Sequence, residues 1–437
     1  MNFHFGTFRE TSYNTLVKKS VIQLYLGSYS IRGKKMIKQG RNDPCACGSG
    51  KKLKQCCGGN VSNAVAISPQ VIAQALRTAW SNFEASRLEQ SDAICQQILK
   101  AVPAQIDAIY LLGLIALKDG QISRAIEYLS IAVKRNPDKP QFIASLGLAY
   151  HEQGQLEQAV KAYKKAIALE PSYVDAHYNL HAALIKASDL KESISSLKNV
   201  LKLSPNDVDA VFMLAMLLEY QAGSDAAVIY FKQLEHTSPI IQSRLDAWNY
   251  LKAHAKPLPP ITGSIVNSFK IALAAAKVSG MVLEFGVRHG NSIIQLAALA
   301  NQRVHGFDSF EGIPEDWHDE GRGSYSTKGV IPKVPNEVTL HQGWFDQTLP
   351  AFLMQHAGPA RLINIDCDIY SSTKTVLDSL ASRIVIGTVI IFDEYIGNEH
   401  WRKDEYKAFQ EAVAKFNWRY EYLCFSFFTK QVAIRII

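Results

Sequence analysis

From about Ser264 onward, short apolar runs alternate with helical patterns. The runs are MVLEFGV, RVHGFDSF, EVTLHQG, RLINIDCD, TVIIFDEY, YEYLCFSF and QVAIRI. Strand-like runs separated by helical stretches of about 10 to 15 residues predict a mostly parallel, doubly wound α/β sheet with helices on both faces. The middle of the chain has a different period. Pro103, Pro137, Pro171, Pro205 and Pro239 recur every 34 residues, and the stretches before them, YLLGLIALKDGQISRAIEYLSIAVKRNP and ASLGLAYHEQGQLEQAVKAYKKAIALEP, align position by position. This is the pattern of an array of helix pairs, with about five expected between residues 70 and 240. Gly113 and Gly147 fall where the first helix packs closely on the second, Gly120 and Gly154 at the turn, and Ala125, Ala132, Ala159 and Ala166 between helices. The last two repeats are looser, with His181 and Ala215 in place of the packing glycines. The proline-rich KPLPPITG, Lys256 to Gly263, ends a linker expected over 241–263, and a new domain is expected over 264–437.

Length supports this division, since 437 residues exceed what one core organises and suggest two to four domains. With 47% hydrophobic and 20% charged residues and no apolar run near the roughly 18 that cross a membrane, a soluble chain with no membrane partner is expected. The net charge of +7 changes meaning once mapped. Residues 1–59 carry 11 Lys or Arg against 2 acids, which leaves the remainder slightly acidic. The main body has no polyanion footprint, so nucleic acid is not an expected partner. Residues 1–39 show no period and are expected to be disordered. VIQLYLG lacks the length and cleavage site of a secretory signal, so a cytoplasmic location is expected. Met36, just ahead of the first motif, is an alternative start to Met1.

Four of the seven cysteines lie in DPCACGSGKKLKQCCGG, as Cys45, Cys47, Cys56 and Cys57. Two close pairs joined by a short Gly-rich loop can wrap a structural Zn²⁺ with four thiolates; two disulfides or free thiols are the alternatives. The stretch GRNDPCACGSGKKLKQCCGG resembles the SEC-C motif, here placed over 40–60, which implies a structural zinc and a module that contacts proteins. The 34-residue array likewise resembles the tetratricopeptide repeat. That resemblance implies a concave surface for a protein partner, here unknown, and a spacer between modules is the alternative.

The chemistry concentrates at strand ends, where parallel sheets bind ligands. The first run ends in LEFGVRHGNS, with Glu284, Gly286, Gly290 and Ser292, and the second in Asp308 and Ser309. Gly286 and Gly290 allow close backbone approach, and acids on two consecutive strand ends favour an adenosine-type cofactor. The pattern resembles class I S-adenosylmethionine-dependent methyltransferases with their Rossmann-like fold. By that resemblance the two glycines border the methionine part of the cofactor and Asp308 holds its ribose. The fourth and fifth runs end in Asp366 with Asp368, and in Asp393 with Glu394. Asp366, Asp393 and Glu394 can offer hard oxygens to a divalent cation such as Mg²⁺, with Asp368 as a proton acceptor. Helix capping is the alternative use of these acids.

Together, LEFGVRHGNS, VHGFDSFEGIPEDW, GWFDQTLPAF, INIDCDIYSST, IFDEY and WRKDEYKAF resemble the macrocin O-methyltransferase (TylF-like) family, whose Mg²⁺-dependent members methylate sugar hydroxyls. The resemblance implies metal ligands at Asp366, Asp393 and Glu394, a general base at Asp368, and a saccharide or other hydroxyl-bearing acceptor. Asn364 departs from the family, which often has His there, and Glu394 from members that have Asp. The Gly- and Pro-rich segment 311–336 is expected to be a substrate lid. His289, His341 and His400 are rival bases, and Cys367 and Cys424 are expected to pack as small apolar residues. A catalytically inactive adaptor organised by the repeats is the alternative function. A nicotinamide enzyme is disfavoured because G-x-G-x-x-G is missing.

Overall fold

The computed structural model describes residues 68–437. The expected disorder over 1–39, the choice between Met1 and Met36, and the zinc motif with Cys45, Cys47, Cys56 and Cys57 lie outside the described residues. The described chain forms two compact units, 68–111 and 112–437. In the first, helix Pro69–Glu84 begins with a proline at its first turn, and the Ser68 hydroxyl accepts a hydrogen bond from the Val71 amide at 3.4 Å. Leu76, Ala79, Trp80 and Phe83 form its buried stripe, and the hydroxyl of Ser91, on helix Leu88–Ala101, donates to the Ala79 carbonyl at 2.8 Å.

Helix Ile106–Lys118 begins in the first unit and ends in the second, which holds the helices that come after it. Ile106–Lys118 is followed by Ile122–Arg135, Pro140–Glu152 by Leu156–Leu169, Val174–Ala183 by Lys191–Leu203, and Val208–Ala222 by the short Val228–Gln233. Small residues let the pairs close. A Cβ on Gly147 would lie 2.9 Å from the Tyr163 ring, and one on Gly113 2.7 Å from Leu129, so a larger residue would force the helices apart. The two helices of a pair bury differently. Ile122–Arg135 is amphipathic, with Ile122, Ala125, Leu129 and Ala132 inside. Its partner Ile106–Lys118 is buried from Ala108 to Leu117, and in the next pair Pro140–Glu152 is likewise buried from Phe142 to Ala149 and again at His151. A helix buried all round needs cover on both sides, and the second cover here is the α/β half of the chain.

That half contains all seven expected strands: β1 Met281–Phe285, β2 Val304–Asp308, β3 Val338–Gln342, β4 Ala360–Ile365, β5 Val389–Phe392, β6 Tyr420–Phe425 and β7 Val432–Ile436. Their order is β3-β2-β1-β4-β5-β7-β6. The first five are parallel, and β7 runs antiparallel to both β5 and β6. Strand order reverses at β1, from which the chain winds outward to β3 and then returns to β4, so a crevice opens beyond the carboxyl ends of β1 and β4.

The segment expected as a linker over 241–263 is mostly a packed helix. Pro239–His254 buries Ile241, Ala247, Trp248 and Leu251 in the same apolar cluster as repeat residues such as Phe212 and sheet residues such as Phe425 and Phe427. The sequence signal was dominated by KPLPPITG, whereas the apolar residues just before it continue the solenoid. The junction between repeats and sheet is aromatic and specific. Phe428, just before β7, stacks on His151 with centroids 5.3 Å apart and meets His181 edge-on, while Phe427 meets Phe212 edge-on at 5.1 Å.

His151 makes this junction sensitive to pH. Its Nε2 donates to the Gly263 carbonyl at 2.9 Å, its Nδ1 is buried without a partner, and burial pushes its pKa down to about 4. The folded state therefore holds the neutral ring while the unfolded chain takes a proton near pH 6.5, so stability is full above that value and falls as pH drops toward 4. Denaturant unfolding of the wild type and of His151→Gln should show the wild type losing about 2 kcal/mol more than the variant between pH 7.5 and pH 5. Parallel pH dependences would exclude the buried neutral ring as the cause.

Candidate functional site

The crevice is held open by one close backbone contact. Gly286, directly after β1, has φ +91, and a Cβ on it would lie 1.6 Å from the Asp366 carbonyl oxygen after β4. The Asp366 amide in turn donates to the Phe285 carbonyl at 2.8 Å. Any other residue at 286 would push the two strand ends apart.

Asp308 ends β2 beside this contact. Its Oδ2 accepts from the amides of Val287 and Arg288 at 2.8 and 2.7 Å, and its Oδ1 from the Phe310 amide at 2.6 Å. Three of roughly four lone-pair positions are thus used to shape the loop, leaving about one on Oδ1 for a ligand hydroxyl. Ser292 and Ser309 line the same cavity. Glu284 and Gly290 stand behind its wall. Glu284 is fully buried, accepting from Ser292 Oγ at 2.8 Å and Asn364 Nδ2 at 3.1 Å, and burial pushes its pKa up to about 8 against those two donors, with Asp393 and Asp308 adding to the rise. Gly290, at φ +81, precedes helix Asn291–Ala300. Glu284 therefore holds β1, β4 and that helix together through Ser292 and Asn364.

Asp366, Asp368, Asp393 and Glu394 all reach the cavity. Asp366 is raised well above the usual carboxylate range by burial and by Asp393, Asp368, Glu284 and Glu405. Burial, Glu394 and Asp393 push Asp368 up to about 8, with Lys430 and Arg288 opposing; burial and Glu394 push Asp393 to about 7, against Gln431 and Lys430. Asp368 also holds φ +60, a strained backbone for a residue with a side chain. The capping alternative is not what the structure contains. Helix Tyr370–Leu380 starts from Ile369 and helix Glu405–Phe416 from Asp404, both without a side-chain cap.

The donor chemistry of this cluster, several hard oxygens with fewer cations than carboxylates beside them, suits a divalent cation. Its arrangement differs from the expected three-ligand set of Asp366, Asp393 and Glu394. Among the described residues no group of three or more His, Cys, Asp or Glu side chains is gathered for a metal ion. Glu394 is engaged by Lys430 Nζ at 3.2 Å and Asn398 Nδ2 at 3.4 Å, and Asp393 by Gln431 Nε2 at 2.6 Å.

These groups line a cavity of about 590 Å³, within the range of small-ligand sites. Of the rival bases, His289 lines it, whereas His341 stacks on Phe307 and His400 on His318, both outside the lining. Segment 311–336 contributes Gly312, Ile313, Pro314, Arg322 and Tyr325. It is anchored by Ile313 and Trp317, which pack on Ile369. Cys424 is buried as expected, but Cys367 lines the cavity, its thiol 3.6 Å from the Thr373 hydroxyl.

Several site residues escaped the sequence analysis. Lys430 and Gln431 come from the turn between β6 and β7, which carries no motif. Glu405 sits in the quoted WRKDEYKAF, where its role was not legible; it accepts the Glu394 amide at 2.9 Å and has one buried oxygen without a partner. Arg288 and Tyr325 reach the cavity through left-handed backbone, which a residue pattern does not reveal. Most unexpected are Leu117, Gly120, Ile122 and Glu152, which bring the helix repeats into the cavity wall.

Comparison with known proteins agrees with this architecture. Residues 283–395 match the family model described as a methyltransferase domain, 107–139 and 147–188 match tetratricopeptide repeat models, and 41–59 match the SEC-C motif. A Streptomyces olivaceus protein named 8-demethyl-8-(2,3-dimethoxy-alpha-L-rhamnosyl)-tetracenomycin-C 4'-O-methyltransferase is 30% identical over 146 residues, which is 27% of this chain and 54% of that protein. A UPF0225 protein of Vibrio cholerae is 91% identical over 22 residues, covering 5% of this chain and 15% of its own length. The chain thus spans about half, or much less, of the curated relatives it matches. Among solved structures, a thermophilic TPR protein of Thermus thermophilus aligns with 41% of this chain and all of its own, at 24% identity and a TM-score of 0.36. The chain carries a SEC-C motif, tetratricopeptide repeats and a methyltransferase domain of the class I fold, in that order.

Proposed function

We propose that the chain is an S-adenosylmethionine-dependent O-methyltransferase of the macrocin type, acting on a hydroxyl of a sugar or other saccharide. The observation that supports this reading best is a single cavity lined by Gly286 and Asp308 at one edge and by Asp366, Asp368 and Asp393 at another. A methyl donor at the first edge would face an acceptor hydroxyl at the second. Asp368 would take the hydroxyl proton as the oxygen attacks the methyl carbon and the sulfur leaves with the bonding pair. Asp308 would accept one ribose hydroxyl, and Tyr325 and the rest of 311–336 would keep water out as a lid. The saccharide acceptor is supported by the name of the Streptomyces relative, and the negative charge of the cluster suits a cationic donor.

Mg²⁺ belongs to the proposal as a Lewis acid that would lower the acceptor's proton affinity, and Asp366, Asp393 and Glu394 would hold it only after Glu394 gives up Lys430 and Asp393 gives up Gln431. Structural Zn²⁺ on Cys45, Cys47, Cys56 and Cys57 completes the cofactors. A separate protein partner would use the repeat faces that the chain's own sheet leaves open. The location we propose is cytoplasmic.

Calorimetry with S-adenosylhomocysteine should show binding to the full chain, weakened by about 1–3 kcal/mol in Asp308→Ala, the scale of a hydrogen bond to a charged acceptor. Unchanged affinity in Asp308→Ala would remove the ribose assignment. Asp368→Asn should leave that affinity in place while turnover of a saccharide acceptor falls by roughly 10²- to 10⁴-fold, the usual contribution of a general base. Asp393→Ala should raise the Mg²⁺ concentration needed for half the maximal rate. A wild-type rate indifferent to Mg²⁺ would instead leave Lys430 as the cation of the cluster.

A further inference from the structure

The turn between helices Ile106–Lys118 and Ile122–Arg135 reaches the loop that follows β1. Asp119 Oδ1 accepts from Arg288 at 3.1 Å, and His289 Nε2 lies 3.6 Å from Asp119 Oδ2. Next to it, the Gly120 carbonyl accepts from Asn291 Nδ2, and one repeat further on the Glu152 carbonyl accepts from Gln295 Nε2 at 2.9 Å. The partners of these contacts are consecutive or one helical turn apart: Arg288, His289, Asn291 and Gln295 form the loop and first turns beside the cofactor edge.

Arg288 is the centre of this arrangement. Its amide donates to Asp308 Oδ2 at 2.7 Å, its backbone is left-handed at φ +47, and its guanidinium lies over the Tyr325 ring at 5.4 Å. One residue therefore touches the candidate ribose acceptor through its backbone and the candidate lid through its side chain. A left-handed backbone at a residue with a side chain is costly and persists only when neighbours over-determine it. Asp119 supplies the charged neighbour, from a repeat rather than from the sheet.

We infer that Asp119 is a positioning residue for the cofactor loop, acting through Arg288, so that the first repeat turn of this unit sets how well the methyltransferase half binds its cofactor. The inference rests on the cofactor reading above. It makes the repeats part of the site, and any shift of this turn relative to the sheet changes cofactor affinity without touching Asp366, Asp368 or Asp393. Without Asp119 the Arg288 side chain loses its anchor, and the amide facing Asp308 loses its fixed direction.

The test is calorimetry with S-adenosylhomocysteine on the full-length wild type, Asp119→Ala, Arg288→Ala and the double variant, with thermal melting of each. Asp119→Ala should bind about 10-fold more weakly, the scale of a lost charge-assisted hydrogen bond. The double variant should bind no worse than Arg288→Ala alone, because the route through Arg288 is already cut. Asp119→Glu, which keeps the charge, should recover much of the loss. Unchanged affinity in a folded Asp119→Ala, or an equal further loss in the Arg288→Ala background, would overturn the inference. If Asp119→Ala does not fold, Asp119→Asn decides the same question, with weakened binding at wild-type melting expected. A wild type that binds no S-adenosylhomocysteine overturns the cofactor reading itself, which separates that failure from failure of the Asp119 route.

Discussion

Two strand-end backbones pass so closely at Gly286 and Asp366 that no side chain fits between them. The candidate site depends on this contact. It brings the loops after β1 and β4 into one crevice and turns the Val287 and Arg288 amides toward Asp308. It also brings Asp366 and Asp368 into the cavity that Asp308 lines. Glu284 sustains the contact from behind. Buried and bonded to Ser292 and Asn364, it ties β1, β4 and helix Asn291–Ala300 at the level where the crevice opens. The energetic cost of burying that acid is offset by two donors from the elements it joins, so loosening either element leaves a buried carboxyl short of a partner.

The repeats are the second support. A tetratricopeptide array usually offers its inner face to a separate chain. Here the repeats also meet the chain's own sheet, at the buried helix Pro140–Glu152 and the stacking of Phe428 on His151. The turn between β6 and β7 serves both sides of this junction. Phe427 and Phe428 enter the repeat side, and Lys430 and Gln431, two and three residues later, hold Glu394 and Asp393 in the cavity.

Much of the fold was legible in the sequence because each level repeats a simple period. The 34-residue prolines and paired small residues mark helix pairs, and seven apolar runs mark seven strands. The strand-end acids stood out because carboxylates recur after successive apolar runs, although the structural work of Asp308 and Glu284, bonded to a loop and to two neighbouring elements, was not legible there. Residues brought in by tertiary contact were not legible. Nothing in the local pattern around Lys430 or Asp119 indicates that the chain returns to bring them beside Glu394 or Arg288. The helix Pro239–His254 was read as linker because a proline cluster is a strong local signal, while the apolar face that overrides it acts only once the repeats and the sheet are both in place. The use of Asp308 by three backbone amides of its own loop was equally invisible to a local pattern.

Charge explains why these parts belong together. The cavity gathers Asp308, Asp366, Asp368, Asp393 and Glu394, with Arg288 and Arg322 in its lining and Lys430 bonded to Glu394. Such an excess of carboxylate is costly in an enclosed space, and Asp366, Asp368 and Asp393 respond by holding protons more tightly. On the proposed reading, the sulfonium of S-adenosylmethionine brings a positive charge into this field and a divalent cation brings another. Methyl transfer then removes the sulfonium charge, which weakens the attraction for the product relative to the donor. The same charge cluster that is expensive to keep without ligand would therefore help admit the donor and release the product, and the anchoring of Arg288 by Asp119 keeps one compensating cation at the cofactor edge throughout.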